Sequence, residues 1–341
     1  MQIIKINKKL KIILTIVCII SFMNISTSYA NIIENFNFKN ITIEDGLSQS
    51  TVKTIYQDIK GYIWVGTDKG LVELDKNLNL IKSYEDTIGE VEVYNIYDDL
   101  KGNLWVCTLG NGLFRINLND KSIKNYKNSR SASSILSNNI RDVISNSSGD
   151  SIYGIYKDDD NLLWLGTSEQ GVNIINEKEV KYLHTENSNL LSNTIIDITG
   201  YENKVFIGTN NGLSVLVKDN ESYTITNYTE KEGLPSNKIT YLFVDSKGSL
   251  FIGTSNGLAI LDSNNKLIDV TYILDDIGVS DKFIGAIYED SRGNYYIGCF
   301  LGGGLIKINP NTKKYKIYKN IDNDETSLSN NCIIFINEDL D

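Results

Sequence analysis

The chain repeats one short motif six times, and this repetition constrains its fold more than any other feature of the sequence. In the first copy the motif runs from Asp58 through Trp64 to Gly70. Each copy has an aromatic residue at the place of Trp64, at positions 64, 105, 164, 206, 251 and 296, spaced by 41, 59, 42, 45 and 45 residues. Units of about 40–50 residues are typical of the four-stranded blades of a β-propeller. The repeat therefore predicts an all-β fold, a β-propeller.

Each copy can be divided into four short strands. An alternating run such as 52–56 forms the first, which should line a central channel. The Asp-x-x-Gly step is a tight turn. Its carboxylate accepts hydrogen bonds from backbone N–H groups, and its Gly supplies conformational freedom at the fourth position. Asn161 and Asn203 take the place of that Gly, and Asn tolerates a positive φ. The aromatic residue lies on the second strand, a Thr-x-x-Gly turn leads to the third, and the fourth is a polar outer edge such as 80–84.

The repeated residues are predicted to be structural. Their aromatic side chains should pack between neighbouring blades rather than stack on a ligand. The acids stand at equivalent turns of different blades, so they should not converge on one substrate. The predicted structural residues are Asp58, Gly61, Trp64, Gly66, Thr67, Gly70, Trp105, Trp164, Gly166, Thr167, Gly208, Gly253 and Gly298.

The two ends of the repeat region resemble parts of one further blade. Residues 36–43 read as an outer strand with no blade before it, and residues 328–341 read as the first strand of a seventh unit. Open sheet edges promote aggregation, so an unfinished ring would be a liability. These observations predict six complete blades plus parts of a seventh, which is a truncated seven-bladed ring.

The first thirty residues have the features of an export signal. Lysines at 5, 8, 9 and 11 precede an apolar stretch at 12–23, and Ser28-Tyr29-Ala30 ends it with small residues where a signal peptidase cuts. Cleavage is predicted after Ala30, with residues 31–341 as the propeller domain. An uncleaved anchor is the alternative, although about twelve apolar residues are short of the roughly 20 needed for a membrane span.

The net charge and the reactive side chains limit which classes of partner and reaction are compatible with this chain. After position 30 there are 29 basic and 43 acidic residues, a net charge of about −14, which excludes nucleic acid as a partner. Cys107, Cys299 and Cys332 have no paired spacing and are expected in the core, and the single histidine, His184, is expected to be structural. The sequence therefore predicts no metal, no cofactor and no catalytic residues.

Particular motifs resemble a known family, the two-component regulator propeller repeat. The resemblance covers about residues 36–341 and rests on Asp45-Gly46-Leu47-Ser48, Trp64-Val65-Gly66-Thr67 and Trp164-Leu165-Gly166-Thr167. Departures are Phe206, Phe251 and Tyr296 for Trp, Cys107 for Gly and Cys299 for Thr. The resemblance implies the exported sensor region of a hybrid histidine kinase or a related membrane signalling protein, which binds a small extracytoplasmic ligand such as an oligosaccharide. A kinase or cyclase output would then lie in another region.

The long second interval contains the candidate ligand site. In propellers the loops from strand four to strand one, and from strand two to strand three, surround one mouth of the channel, where pockets concentrate. The extra residues of the second interval extend one of these loops. Its predicted ligand-binding residues are Asn138, Asn139, Arg141 and Asp142. The alternative is a surface insertion without a role, because polar loops are readily extended.

Other functions remain open from the sequence alone. A free-standing exported binding scaffold has no sequence feature that separates it from a sensor. A propeller lyase or hydrolase would need convergent acids, bases or metal ligands, which the sequence does not display. A homodimer is a further open alternative, and membrane association would come only through an uncleaved signal or regions outside this chain.

Overall fold

The computed structural model describes residues 39–99, 101–126, 152–175, 180–219 and 222–338. Within them the chain forms six antiparallel sheets of four strands, each built from consecutive segments. Blade one consists of β1 Val52–Gln57, β2 Ile63–Thr67, β3 Gly70–Leu74 and β4 Leu80–Ser83, and blade two of β5 Val93–Asp98, β6 Asn103–Thr108, β7 Leu113–Asn117 and β8 Ile123–Tyr126. Blade three consists of β9 Ile152–Lys157, β10 Leu163–Thr167, β11 Val172–Ile175 and β12 Val180–Leu183, and blade four of β13 Ile195–Tyr201, β14 Lys204–Thr209, β15 Gly212–Asp219 and β16 Ser222–Tyr228. Blade five consists of β17 Ile239–Val244, β18 Leu250–Thr254, β19 Gly257–Leu261 and β20 Leu267–Asp269, and blade six of β21 Ile284–Glu289, β22 Tyr295–Cys299, β23 Leu305–Asn309 and β24 Lys314–Tyr318. The described residues also form two short helices, α1 Glu85–Ile88 after β4 and α2 Tyr272–Asp276 after β20, and a short 3-10 helix at Ile43–Asp45.

The sheets follow one another around a central axis as the blades of a propeller, which confirms the predicted fold class. The first strand of each blade contacts the first strand of the next. The hydrophobic core is divided into layers between neighbouring blades rather than gathered at one centre. The strands at the middle of a blade, such as β3 and β18, are buried along their whole length, whereas the outer β4 is exposed. This is the burial that continuous apolar runs and polar outer strands predict.

The Asp of each motif holds the turn and the aromatic residue together. One oxygen of Asp58 accepts the backbone N–H groups of Lys60 and Tyr62 at 2.9 and 3.0 Å, and the other accepts the indole N–H of Trp64 at 3.1 Å. Trp64 has no exposed surface. The same arrangement joins Asp158 to Trp164, at 3.0 Å. Trp64 and Trp164 are both fully buried, so neither indole offers a surface to a ligand, which is consistent with the structural role that the sequence predicts.

The Gly of the Trp-x-Gly-Thr core allows neighbouring blades to approach. A Cβ on Gly66 would lie 2.6 Å from a methyl group of Val93, the first residue of the next blade. Four further copies, Gly166, Gly208, Gly253 and Gly298, face an isoleucine in the same way, at 2.5 to 2.8 Å. The Thr that follows closes the next turn, as when Thr67 donates its hydroxyl to the Gly70 carbonyl at 3.2 Å.

Two sequence expectations need correction. Asn161 has the expected positive φ of 63°, but in blade four the left-handed residue is Glu202, at 53°, and not Asn203. The reason is that Tyr201 pairs directly with Lys204, so the turn has only two residues and its first one must be left-handed. Cys107 and Cys299 are buried as expected, whereas Cys332 is exposed because it follows the last blade.

The segment after blade six runs beside β21. Ile333 donates its N–H to the Cys299 carbonyl at 2.9 Å, and Glu338 accepts both the N–H and the hydroxyl of Ser291 at 2.8 Å. Asn40, near the other end, lies 3.5 Å from the Glu325 carbonyl. Residues 332–338 carry no strand assignment, and residues 36–38 and 339–341 lie outside the described residues. The seventh blade therefore stays a prediction.

The predicted export signal, residues 1–30, also lies outside the described residues. Within the described ranges, no helix has the length and apolar character of a membrane span. The signal and its cleavage after Ala30 remain predictions.

Candidate ligand site in the central channel

Every blade has a bulge at the same place in its first strand. The register shifts between Val52 and Thr54 in β1, and at the matching position of β5, β9, β13, β17 and β21. A bulge leaves one residue unpaired and re-aims its side chain. The bulged residues that line the channel are Lys53, Tyr94, Ile196, Thr240 and Gly285.

These residues surround a cavity of about 530 Å³. They lie where the first strands begin. The cavity is therefore at the mouth formed by the loops that connect strand four of one blade to strand one of the next, and strand two to strand three within a blade. Further walls come from Lys238 and Phe283, just before β17 and β21, and from Phe300, in the turn after β22. Cavities of 300–1,000 Å³ are typical of small-molecule sites. Both predictions, that first strands line the channel and that this mouth contains the pocket, agree with this geometry.

Aromatic rings and a cation form one side of the mouth. The rings of Phe283 and Phe300 lie 4.9 Å apart, and Phe300 is 40% exposed. The Lys238 ammonium lies 5.8 Å from the centre of the Phe283 ring. The loop that carries Phe300 is held by Asp281, whose carboxylate accepts the N–H groups of Leu301 and Gly303 at 2.7 and 3.0 Å. The aromatic surface is thus fixed in place before a ligand arrives.

Polar groups on the other walls could pair with a ligand. Lys53 lies 3.0 Å from the carboxylate of Asp68 and 4.0 Å from that of Glu92, and 5.7 Å from the centre of the Tyr94 ring. The Thr240 hydroxyl is buried and, within the described part of the chain, has no hydrogen-bond partner. A buried hydroxyl without a partner is costly, which makes it suited to a polar ligand group.

One acid lies deeper in the channel. Asp197 accepts the N–H of Ile198 with one oxygen and that of Leu242, in the next blade, with the other, both at 2.9 Å. Burial raises the pKa of Asp197 to about 7, against the opposing effect of these two hydrogen bonds. Its carboxyl group therefore changes charge near neutral pH, inside the cavity wall.

Replacing Asp197 by asparagine should alter how stability depends on pH. The folded protein keeps the Asp197 proton up to about pH 7, whereas an unfolded chain loses it near its ordinary pKa of about 3.9. This residue's contribution to stability therefore falls as the pH rises between those values, by on the order of 2–4 kcal/mol. We expect the free energy of unfolding of Asp197→Asn, relative to wild type, to rise by that amount between pH 4 and pH 8 in urea titrations. Parallel pH profiles for the two proteins would contradict the assignment.

The four residues predicted from the long loop cannot be compared with this cavity. Asn138, Asn139, Arg141 and Asp142 lie outside the described residues. The loop does join β8 to β9, a four-to-one connection, so both strand ends that it links belong to the face of the channel mouth. His184 comes directly after β12, and its Nδ1 accepts the N–H of Glu186 at 3.3 Å, as expected of a structural residue.

Sequence reasoning missed the residues of the channel wall. The bulged positions differ in type from blade to blade, so a search for repeated residues passes over them. One signal could have found Asp197, because it is an acid in the alternating run Ile195–Ile198. The equivalent residues of the other first strands, which pair with the core Gly or, in blade two, with Cys107, are Thr54, Asn95, Gly154, Tyr241 and Ala286.

Comparison with known proteins identifies the repeat. The model of the family "Two component regulator propeller" matches residues 46–69, 146–169 and 233–256. A protein described as histidine kinase P4, from Formosa agariphila, is 49% identical over 59 residues, which are 17% of this chain and 4% of that protein.

Two solved structures share the fold. The extracellular domain of a hybrid two-component system from B. thetaiotaomicron is 21% identical with a TM-score of 0.71, over 89% of this chain and 39% of that one. PorZ, a surface component of the type-IX secretion system of Porphyromonas gingivalis, is 14% identical with a TM-score of 0.61, over 85% of this chain and 44% of that one. The chain spans less than half of each relative. The chain is a β-propeller, and three of its segments match the repeat of the two-component regulator propeller family.

Proposed function

We propose that this propeller is the extracytoplasmic ligand-sensing domain of a two-component or similar transmembrane signalling receptor. The observation that carries the proposal is the cavity of about 530 Å³ at the channel mouth, together with the family of the repeat. The histidine kinase and the hybrid two-component system among its relatives support a signalling role. The similar domain of the B. thetaiotaomicron hybrid two-component system is extracellular, which supports an exported location for this propeller. The export signal predicted at residues 1–30 supports the same location.

The ligand that this mouth fits is an oligosaccharide. A sugar ring offers apolar C–H faces that pack on aromatic rings and hydroxyl groups that need donors and acceptors. Phe283 and Phe300 supply the rings, while Thr240, Lys238 and Lys53 supply polar groups. Such a mixture of apolar surface with a few placed polar groups is typical of small-molecule sites. We include Asn138, Asn139, Arg141 and Asp142 in the proposed site, because their loop connects strands at the same mouth.

A matched pair of neighbouring variants tests this site. Phe300 lines the cavity, whereas Leu301, which is 70% exposed, does not. We expect Phe300→Ala to weaken oligosaccharide binding about tenfold, which is about 1.4 kcal/mol, because an aromatic contact contributes about 0.5–1.5 kcal/mol beyond the apolar area that it buries. Leu301→Ala should bind as wild type does. The measurement is calorimetric titration of the full chain against a panel of neutral and acidic oligosaccharides.

Two results would contradict the proposal. Equal affinity of the Phe300→Ala and wild-type proteins for the same oligosaccharide would place the ligand elsewhere. Failure of the wild-type protein to bind any oligosaccharide of the panel would remove the proposed ligand class and shift support to a binding scaffold.

A further inference from the structure

A second cavity, of about 290 Å³, lies between blades five and six. Phe251, Leu258 and Ile260 of blade five form one wall, and Ile297 and Ile308 of blade six form the other. Its lining is mainly apolar, and at one end it reaches the exposed polar residues of the Asp-x-x-Gly face, opposite the channel mouth. The exposed residues there are Lys247, Ser263 and Asn264.

The other blades show why a cavity forms here. Between blades one and two the same layer is filled by Trp64 and Tyr84, whose ring centres lie 5.4 Å apart. Phe251 takes the place of Trp64, because it pairs with Ile260 as Trp64 pairs with Glu73.

The place of Tyr84 is taken by a small residue. Val270 donates its N–H to the Leu258 carbonyl at 2.9 Å, as Tyr84 does to that of Leu71. Among the six described blades, only blade five combines a phenyl ring on strand two with an aliphatic residue at this fourth-strand position. Two large rings are thus replaced by a smaller ring and an isopropyl group, and the Tyr295 ring, stacked on Phe251 with the ring centres 4.9 Å apart, fills only part of the freed volume.

A polar group in the wall gives this cavity a binding preference. Tyr272, at the start of α2, lines it, and the Tyr272 hydroxyl is buried with no hydrogen-bond partner among the described residues. The Asp245 carboxylate, by contrast, already accepts three hydrogen bonds. The donors are the Tyr295 hydroxyl, at 3.0 Å, and the backbone N–H groups of Lys247 and Ser249 in its own turn. An unpaired phenol in an apolar wall favours a ligand with a hydrogen-bond acceptor.

We propose that the cavity between blades five and six is a binding site for a small aromatic molecule that carries a hydrogen-bond acceptor, with its ring in the volume that Trp64 and Tyr84 occupy in blade one. An apolar cavity of about 150 Å³ is enough to bind benzene, so about 290 Å³ accommodates a substituted ring. The site is separate from the channel mouth and does not depend on the proposed sensing function.

Two probes of similar shape test the proposal, acetophenone, which has a carbonyl acceptor, and cumene, which has none. Binding to the full chain is followed by NMR titration, with nuclear Overhauser contacts from the probe to the methyl groups of Leu258 and Ile260. We expect acetophenone to bind with a dissociation constant on the order of 1 mM or tighter. It should bind about threefold to tenfold more tightly than cumene, and Tyr272→Phe should remove that difference.

Refilling the cavity should abolish binding. Phe251→Trp restores the larger ring, and Val270→Tyr is a second, independent refilling variant; each should weaken acetophenone binding at least tenfold. Phe300→Ala, at the channel mouth, should leave it unchanged. Circular dichroism establishes that each variant is folded, and the Overhauser contacts in wild type test the site even if neither refilled protein folds.

Four outcomes would overturn the proposal. The first is no binding of acetophenone to wild type at its solubility limit, and the second is Overhauser contacts with residues other than those of the blade five and six walls. Affinity that is unchanged in a folded Phe251→Trp or Val270→Tyr protein would likewise place the probe elsewhere. Equal affinities for acetophenone and cumene in wild type would remove the role of the Tyr272 hydroxyl.

Discussion

Replacing Trp64 by alanine is expected to lower the free energy of unfolding by about 4 kcal/mol. The indole has no exposed surface and packs between blades one and two, and truncation of a buried Trp to Ala costs about 3–5 kcal/mol. The change also removes the donor 3.1 Å from the buried Asp58 carboxylate and the ring face that lies 4.5 Å from the Lys121 ammonium. Urea unfolding followed by circular dichroism measures the loss.

A residue in the same turn provides the control. Ile59 follows Asp58 directly and is 85% exposed, so Ile59→Ala should change the free energy of unfolding by less than about 0.5 kcal/mol. Similar values for the two variants would contradict the view that Trp64 is a structural residue between blades.

Replacing Lys121 by methionine should destabilise the protein by about 3 kcal/mol. Glu73 is only 3% exposed, and its carboxylate lies 2.5 Å from the Lys121 ammonium and accepts the Tyr84 hydroxyl at 2.8 Å. Removing the lysine leaves a buried negative charge with one neutral partner, which costs more than the pair itself contributes. Thermal or urea unfolding at neutral pH measures the effect.

An exposed pair on blade one provides the matched comparison. Lys69 lies 3.4 Å from Glu90, and both side chains are more than half exposed. Lys69→Met should therefore change the free energy of unfolding by no more than about 0.5 kcal/mol. Equal effects of Lys121→Met and Lys69→Met would contradict the view that the ion pair between Glu73 and Lys121 holds this layer together.

The contacts inside one blade could be predicted from the sequence, because they recur with the repeat. Asp58, Trp64 and Gly70 are separated by fixed numbers of residues, so the turn geometry follows from local chemistry. The family resemblance could be identified from the same residues.

Contacts between blades could not be predicted in this way. In blade five, Phe251 has no N–H group to donate to Asp245 as the tryptophans do. The hydroxyl of Tyr295, in the next blade and 50 residues along the chain from Asp245, donates that hydrogen bond instead. The ion pair between Glu73 and Lys121 likewise joins two blades. Such pairs depend on which side chains face each other across a gap, and each occurs once rather than six times.

The site was predicted as one face of the ring together with four loop residues, Asn138, Asn139, Arg141 and Asp142, which lie outside the described residues. The sequence indicated the mouth with the four-to-one and two-to-three loops, but not the bulge that turns Lys53 and Thr240 into the channel, because a bulge leaves no repeated residue type. Asp197 is paired with Gly208, but its position also differs in residue type from blade to blade, so it was missed as well. The cavity between blades five and six follows from Phe251 and Val270, whose small size becomes meaningful only beside the equivalent Trp64 and Tyr84.

The central claim is that ligand binds at the channel mouth, and hydrogen–deuterium exchange with a bound oligosaccharide tests it most directly. With the tightest-binding oligosaccharide of the panel, the account predicts slower amide exchange at the starts of β1, β5, β17 and β21 and in the turn at 299–304. Exchange at the Asp-x-x-Gly turns of the opposite face, residues 58–61, 245–248 and 290–293, should be unchanged. Protection confined to those turns would contradict the account.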